Sequence, residues 1–556
     1  MSGLGGSGGA GGGSGADATG AGGGFGGVER TTGVFVEMMG FTGAAMWASC
    51  GGGGEEHAGK VPLTRAKRKR RGRTEDRISR NKLRLRDDVA RIPVRRWPHL
   101  VIARGHFVLD NLANHMFDPA FPHPEFIDRE PVRDWSALGT FGVLLKRVLT
   151  LILFTAFCLP FWPLYLFLRI FMPRPPVVVP NALTLHCIRM ILMEYPPHGP
   201  TFAMRLSLLL ELTRRNAADG FWGFAWFVDE IIWGRELKRV NIVEPLFELS
   251  AARSGSTQLA RYLEDDPHLC APSALQEAFP YMWLWRVGRH LERFLPRDWD
   301  FKVAHAFFPP EHHERHELDP MRMDTFEIVF LLPYQLGNIF VSLGPRALLE
   351  NFPFSLVHGT IRNVWENELL RFIDAIGRKT LLHASRNSAD QTRRLFIKGH
   401  FLNVAPELAK KYPDARFLTM VRAPEKRFQS LINFIRCGTT IAPCRPTPWA
   451  WIVEYVCTSE VLYCEMEMAW YESPEGPRRC VVRFDDYVKD LEGTMRKVYR
   501  ECLDRELSPH VPRTHAARTR TNYSVDRSLE QLGVDEAALK KRLEAYGRWC
   551  KSAPKT

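Results

Sequence analysis

The chain has 556 residues, 45% of them hydrophobic and 25% charged, with a formal net charge of +13. Its length and apolar content exclude a single small domain and a globally disordered chain. Lys60 to Arg96 alone holds 16 Lys/Arg and 4 Asp/Glu, a net of +12. The remainder is nearly neutral, which excludes a uniformly basic nucleic-acid-binding body.

Residues 1–59 read as a disordered tail. Met1 to Gly54 contains 22 glycines, and glycine loses the most backbone entropy on ordering. No early apolar run has the form of a cleavable signal peptide. Residues 60–96 form a polybasic segment with the run Arg65–Arg73. Such a run suits a nuclear signal, a nucleic-acid arm or a juxtamembrane segment that binds anionic lipid. A long apolar run downstream favours lipid. After a juxtamembrane region over 97–147, residues 148–168 contain no charge. At about 1.5 Å per residue they can span about 30 Å of hydrocarbon. Lys146, Arg147, Arg169 and Arg174 flank the run, and Trp162 and Tyr165 are interface-type residues. Pro160 and Pro163 interrupt helical hydrogen bonding. A kinked helix lying in one leaflet and a buried core helix are therefore the alternatives to a spanning helix. The positive N-terminal side predicts a cytosolic N-terminus and a lumenal body, and the expected location of this single-pass protein is the Golgi.

Residues 169–240 read as a linker and helical region, with a stiff Pro173–Pro180 stretch. Phe221–Trp233 is aromatic and amphipathic, and suits a core helix or a membrane contact. From residue 241 to 556 short apolar strands alternate with helices, the pattern of an α/β domain around a parallel sheet. The eleven cysteines form no CxxC pair, which argues against a zinc ribbon or a thioredoxin-like site. Cys437/Cys444 and Cys457/Cys464 are spaced for local disulfides, or are free thiols. Glu311–Glu317 holds His312 and His316 one turn apart, but HExxH is absent and no metal site is expected. Asn522-Tyr523-Ser524 is a glycosylation sequon.

Two motifs carry chemistry. In the first, a short strand runs through Glu244–Leu249 into Arg253-Ser254-Gly255-Ser256-Thr257 and then into a helix. Backbone N–H groups at a helix start, with the positive end of its dipole, form an anion site. Gly255 permits close approach, the hydroxyls add donors and Arg253 adds charge. A plain turn and helix cap is the other reading. GxxxxGK[ST] is absent, so this is not a Walker A loop. In the second, a strand delivers Arg422, Pro424 opens a helix, and Ser430 lies two turns into it. Arg422 and Ser430 are suited to gripping a second phosphate where open parallel sheets bind ligands.

The two motifs together resemble the sulfotransferases that use 3′-phosphoadenosine 5′-phosphosulfate (PAPS). In that family an [R/K]-[ST]-G-[ST]-T loop holds the 5′-phosphosulfate and an R-x-P-x5-S segment holds the 3′-phosphate. Asp266-Pro267, Leu395–Lys398 with Tyr412–Phe417, Val482–Tyr487 with Leu491–Thr494, and a stretch from His515 to Gly533 are also similar to the family. The last resembles its bacterial and lipid-type branch. Coverage is roughly 240–535. The family's "KSP" reads Lys398-Gly399-His400 here, and the Arg-Lys-Gly motif of its soluble branch is missing, with Arg513–Arg520 as a replacement region.

The resemblance implies a P-loop-like three-layer α/β fold and sulfuryl transfer from PAPS to a hydroxyl or amine of a carbohydrate, lipid or protein, with no metal. Donor-binding residues are then Arg253, Ser254, Gly255, Ser256, Thr257, Arg422 and Ser430. Arg253 and Lys398 stabilise the leaving phosphate. Glu277 is the expected base, with His400 and His305 behind it. The acceptor pocket is expected within 281–395. Membrane lipid is an expected partner through 148–168 and the basic arm, and nucleic acid is not. A nucleotide kinase or NTPase, and a non-catalytic membrane adaptor, are the competing functions.

Overall fold

The structure, a computed structural model, describes residues 137–193, 202–291, 319–324, 362–385, 393–438, 449–473, 476–507 and 527–552. The tail, the basic arm, most of 97–147, His305, Glu311–Glu317, Arg513–Arg520, the Asn522 sequon and most of the expected acceptor region lie outside these residues.

The long apolar run is two helices, α1 (Ala137–Cys158) and α2 (Phe161–Phe171), bent by 57°. The expectation of one spanning helix over 148–168 is corrected here. No single described helix is long and apolar enough to cross a membrane. Pro163 explains the break. It has no N–H to give to the Leu159 carbonyl, and its ring crowds that turn. The Leu159 carbonyl instead accepts from Trp162 N at 3.2 Å.

Helices α3 (Asn181–Met193), α4 (Phe202–Ala217) and α5 (Asp219–Arg239) complete an N-terminal helical layer. Trp162 and Tyr165 do not form an aromatic belt at an interface. Both turn inward onto α5, where Gly220 and Gly223 make a groove for them. A Cβ on Gly220 would lie 2.7 Å from the Trp162 ring, and one on Gly223 2.3 Å from the Tyr165 ring. Trp162 Nε1 donates to the Ala217 carbonyl at 2.9 Å. Helix α5, the aromatic segment of the sequence, buries Trp226, Phe227 and Trp233. Its Asp229 pairs with Lys379 at 2.7 Å, both fully buried, which fixes the layer to the α/β domain.

That domain is a five-stranded sheet of order β2-β3-β1-β4-β5, parallel at each pairing. The strands are β1 (Leu246–Glu248), β2 (Leu269–Cys270), β3 (Arg394–Lys398), β4 (Arg416–Val421) and β5 (Arg478–Arg483). Alternate residues feed two cores, as a sheet covered on both faces requires. Phe247, Leu395, Ile397 and Phe417 pack with Leu369, Phe372 and Ile376 of α9 (Arg362–Ser385). Leu246, Phe396, Leu418 and Met420 pack against α6 (Ser256–Glu264) and α14 (Leu491–Leu503). The three-layer parallel α/β expectation holds. Between these elements lie α7 (Ala274–Ala278), α8 (Met282–Leu291), α10 (Ala405–Lys411), α11 (Pro424–Gly438), α12 (Trp449–Glu472) and α13 (Phe484–Lys489). The last two helices are α15 (Glu536–Arg542) and α16 (Glu544–Ser552).

Cys457 and Cys464 are buried thiols two turns apart on α12. A separation of about 10 Å along a helix rules out a bond between them. Helix α11 is anchored by an ionic cluster. Arg427, fully buried, pairs with Glu460 and Glu467 of α12 and donates to the Tyr546 hydroxyl of α16 at 2.9 Å. Thr419 of β4 donates to Glu467. Removing one member leaves unpaired buried charge. Arg427→Met is expected to lower stability by about 3–5 kcal/mol, read as a drop in Tm and in the urea midpoint.

Candidate active site

Strand β1 lies between β3 and β4. From β1 the chain proceeds to β2 and β3 on one side, then to β4 and β5 on the other. The crevice between the carboxyl ends of β1 and β4 is thus the topological switch point, where open α/β sheets bind ligands. Both sequence motifs end there.

The loop after β1 is tied to β4. Leu249 N donates to the Leu418 carbonyl at 2.9 Å, and Met420 N donates to Ser250 Oγ at 2.7 Å. Two left-handed residues then turn the chain, Arg253 at φ 63° and Gly255 at φ 104°. Glycine is required at 255. A Cβ there would sit 2.6 Å from the Phe484 ring and 2.9 Å from Met420 Sδ. Gly255 caps α6 without a side-chain bond; its carbonyl accepts from Gln258 N at 3.1 Å, and the Ser256 and Thr257 N–H groups before it have no carbonyl partner within the helix. Ser254 Oγ is buried with no hydrogen-bond partner among the described residues. A glycine-lined helix start beside an orphaned hydroxyl fits a small anionic group.

The cations fall into two sets. Lys398, at the end of β3 and buried, donates from Nζ to Thr257 Oγ1 at 3.3 Å. Arg253 and Arg422 form the other set with Ser430. Arg253 Nε donates to Ser430 Oγ at 3.1 Å, and Arg422 donates to the Arg253 carbonyl at 3.1 Å. Their guanidinium carbons lie 5.2 Å from the Phe434 ring and 4.5 Å from the Phe484 ring, respectively. The backbone of Arg253 therefore belongs to the first motif and its side chain to the second, so the two motifs form one site.

Glu277 is buried on the short helix α7. That helix is held by residues 320–322: Ala274 N donates to the Arg322 carbonyl and Leu275 N to the Pro320 carbonyl, each at 2.9 Å. The same turn brings buried Asp324 to 4.0 Å from Lys398 Nζ. Asp324 escapes a reading of the sequence, because no motif surrounds it and its contact spans more than seventy residues. His400, at the mouth of β3, has Nδ1 2.7 Å from the Ser250 carbonyl.

Glu248 is a second residue that sequence reasoning misses. It pairs in register with Lys398, is fully buried and is hydrogen-bonded to Ser250. Burial pushes its carboxyl from 4.5 to about 7, against the opposing pull of the Lys398 ammonium. Below about pH 4.5 the group is neutral whether folded or unfolded. Between 4.5 and 7 the unfolded chain ionises first, so stability falls as pH rises, and it levels above 7. Glu248→Gln is expected to remove that slope, and at pH 8 to exceed the parent by about 2–4 kcal/mol. Urea titrations from pH 4 to 8 test this, and an unchanged slope contradicts it.

Residues 345–507 match the model of the sulfotransferase family. This stretch carries Lys398, His400, Arg422 and Ser430 of the α/β domain. The Arg253–Thr257 loop lies outside the matched stretch and joins it in space. Among solved structures, sulfotransferase STF1 from Mycobacterium tuberculosis H37Rv is similar at 18% identity and a TM-score of 0.48, covering 69% of this chain and 98% of that one. Sulfotransferase STF9 from Mycobacterium avium is similar at 14% identity and a TM-score of 0.44, covering 65% and 88%. No curated protein matches the chain.

Proposed function

We propose that the chain is a PAPS-dependent sulfotransferase acting on a hydroxyl or amine acceptor. The observation that carries the reading is the convergence of Arg253, Arg422 and Ser430 at one end of the crevice, with Lys398 and Thr257 at the other. A donor with two phosphate-bearing ends needs two such sets. The family match supports the transfer chemistry.

The donor supplies an activated sulfuryl group on a phosphate leaving group. The Gly255 cradle, the first-turn N–H groups of α6 and the Ser254, Ser256 and Thr257 hydroxyls would hold its 5′ end. Arg253, Arg422 and Ser430 would hold its 3′-phosphate. Lys398 is placed to neutralise charge that develops on the leaving oxygen, in a buried setting where a fixed cation counts for more than in water. The acceptor oxygen forms the new bond to sulfur as the sulfur–phosphate oxygen bond breaks, in line. A base takes the acceptor proton. Glu277 and His400 are the two candidates. With Nδ1 donating to the Ser250 carbonyl, Nε2 is the basic nitrogen of His400, and this favours His400. A base contributes about 10²–10⁴-fold, so kcat–pH profiles of His400→Asn and Glu277→Gln separate the two.

Membrane attachment is part of the proposal. The Golgi orientation expected from the sequence needs the α1–α2 pair to cross the bilayer, whereas a pair lying in the membrane plane does not. Mass spectrometry of sulfated products in cells with and without the chain tests the activity. New sulfated species lost with Lys398→Met support it. Magnesium-dependent ATP turnover would instead establish the kinase reading.

A further inference from the structure

The N-terminal helical layer has an apolar core and also an apolar outer face on α1 and α2. On α1 the outward stripe runs Phe141, Leu145, Leu149, Leu153 and Phe157, with Phe141 and Leu153 exposed at 63% and 71%. It continues across the bend, where the Phe157 and Phe161 rings are 5.9 Å apart, onto Leu164, Phe167, Ile170 and Phe171 of α2. Ile170 and Phe171 are 74% and 70% exposed. Lys146 is the one charged residue among the described exposed positions from Phe141 to Phe171.

The ions between α1 and α4, and those at the start of α5, are turned inward. Arg147 of α1 pairs with buried Glu211 of α4, and Arg214 pairs with the same carboxylate. Buried Arg215 pairs with Asp219 and donates to the Val177 carbonyl at 3.0 Å. A water-facing layer has the opposite arrangement. Large contiguous apolar patches are rare on water-soluble monomers. Ionisable groups that face inward in pairs beneath an apolar exterior are the arrangement found in lipid.

We propose that this face seats the protein in one leaflet of an anionic bilayer, with α1 and α2 lying in the membrane plane. Neither helix crosses alone. The apolar part of α1, Leu144–Cys158, is about 22 Å long and α2 about 16 Å, against about 30 Å of hydrocarbon. Their inner faces are fixed to α4 and α5, and α5 is fixed to the α/β domain through Asp229 and Lys379. Charge complementarity identifies the lipid as anionic. Lys146 is exposed on the apolar face, and the same chain carries the +12 segment of residues 60–96, which suits a negatively charged surface. The inference deepens the membrane attachment proposed with the function and is independent of the donor chemistry.

The test uses the full chain, tagged at both ends and translated in the presence of sealed vesicles of phosphatidylcholine alone or with roughly 30% phosphatidylserine. Flotation is expected with both and stronger with phosphatidylserine. External protease is expected to remove both tags, because both ends lie on one side. The triple variant Leu153→Glu, Phe167→Glu, Ile170→Glu is expected to float at least about tenfold less while its Tm and nucleotide binding stay unchanged. Protection of one tag means a span and overturns the proposal. So does failure of the parent chain to float, which would leave the face to a protein partner or a second copy. Flotation unaffected by the triple variant also overturns it. Adenosine 3′,5′-bisphosphate binding, measured on the same preparations, reports the donor reading separately.

Discussion

Lys398→Met is expected to reduce the rate of sulfuryl transfer by about 10²–10³-fold while donor affinity changes far less. The side chain is buried and touches Thr257 at the start of α6. It is therefore aimed at the end of the site where the leaving oxygen would gain charge. Removing one fixed donor of this type from a developing oxyanion costs about 3–4 kcal/mol in other enzymes. Methionine keeps the length of the side chain and removes the charge, so the strand register of β3 with β1 should survive. Single-turnover rates at saturating donor, alongside the dissociation constant for adenosine 3′,5′-bisphosphate, separate the two effects. An equal loss in both would place Lys398 in binding alone.

Arg422→Ala is expected to weaken binding of adenosine 3′,5′-bisphosphate by about 10–100-fold, with a smaller effect on the single-turnover rate at saturation. Hydrogen bonds to charged groups contribute about 1.5–3 kcal/mol. Arg422 also supports Arg253 through the Arg253 carbonyl and stacks on Phe484, the ring that closes over Gly255. One substitution therefore loosens both phosphate sets. Ser430→Ala should weaken binding less, since Ser430 contributes a hydroxyl and no charge. Its partner Arg253 keeps its contact with Phe434. Calorimetry on the three proteins ranks them. A larger effect from Ser430→Ala than from Arg422→Ala would contradict the assignment.

Much of the fold is visible in the chain because its determinants are local. Period-two apolar runs such as Leu395–Ile397 and Arg416–Val421 feed two cores, a consequence of the strand alternation itself. The RSGST loop and the R-x-P-x5-S segment can each be read alone, since a loop and a helix start need only their own residues. Their side-chain meeting, Arg253 on Ser430 at a separation of 177 residues, is not visible, because it depends on which strands become neighbours. Asp324 near Lys398, and Glu248 in register with Lys398, are hidden for the same reason. The apolar run stands out in the sequence, yet it is not the one straight span its length suggests. Its prolines mark the break, but the glycine groove that draws Trp162 and Tyr165 inward lies on α5, roughly sixty residues later.

The central claim is that one anion site at the β1–β4 crevice joins the two motifs. Equilibrium binding of adenosine 3′,5′-bisphosphate to the full chain, compared with Arg253→Ala, tests it most directly. Binding in the parent chain that weakens by about tenfold or more in the variant is the predicted result. No binding in the parent, or the same affinity in both proteins, would contradict it.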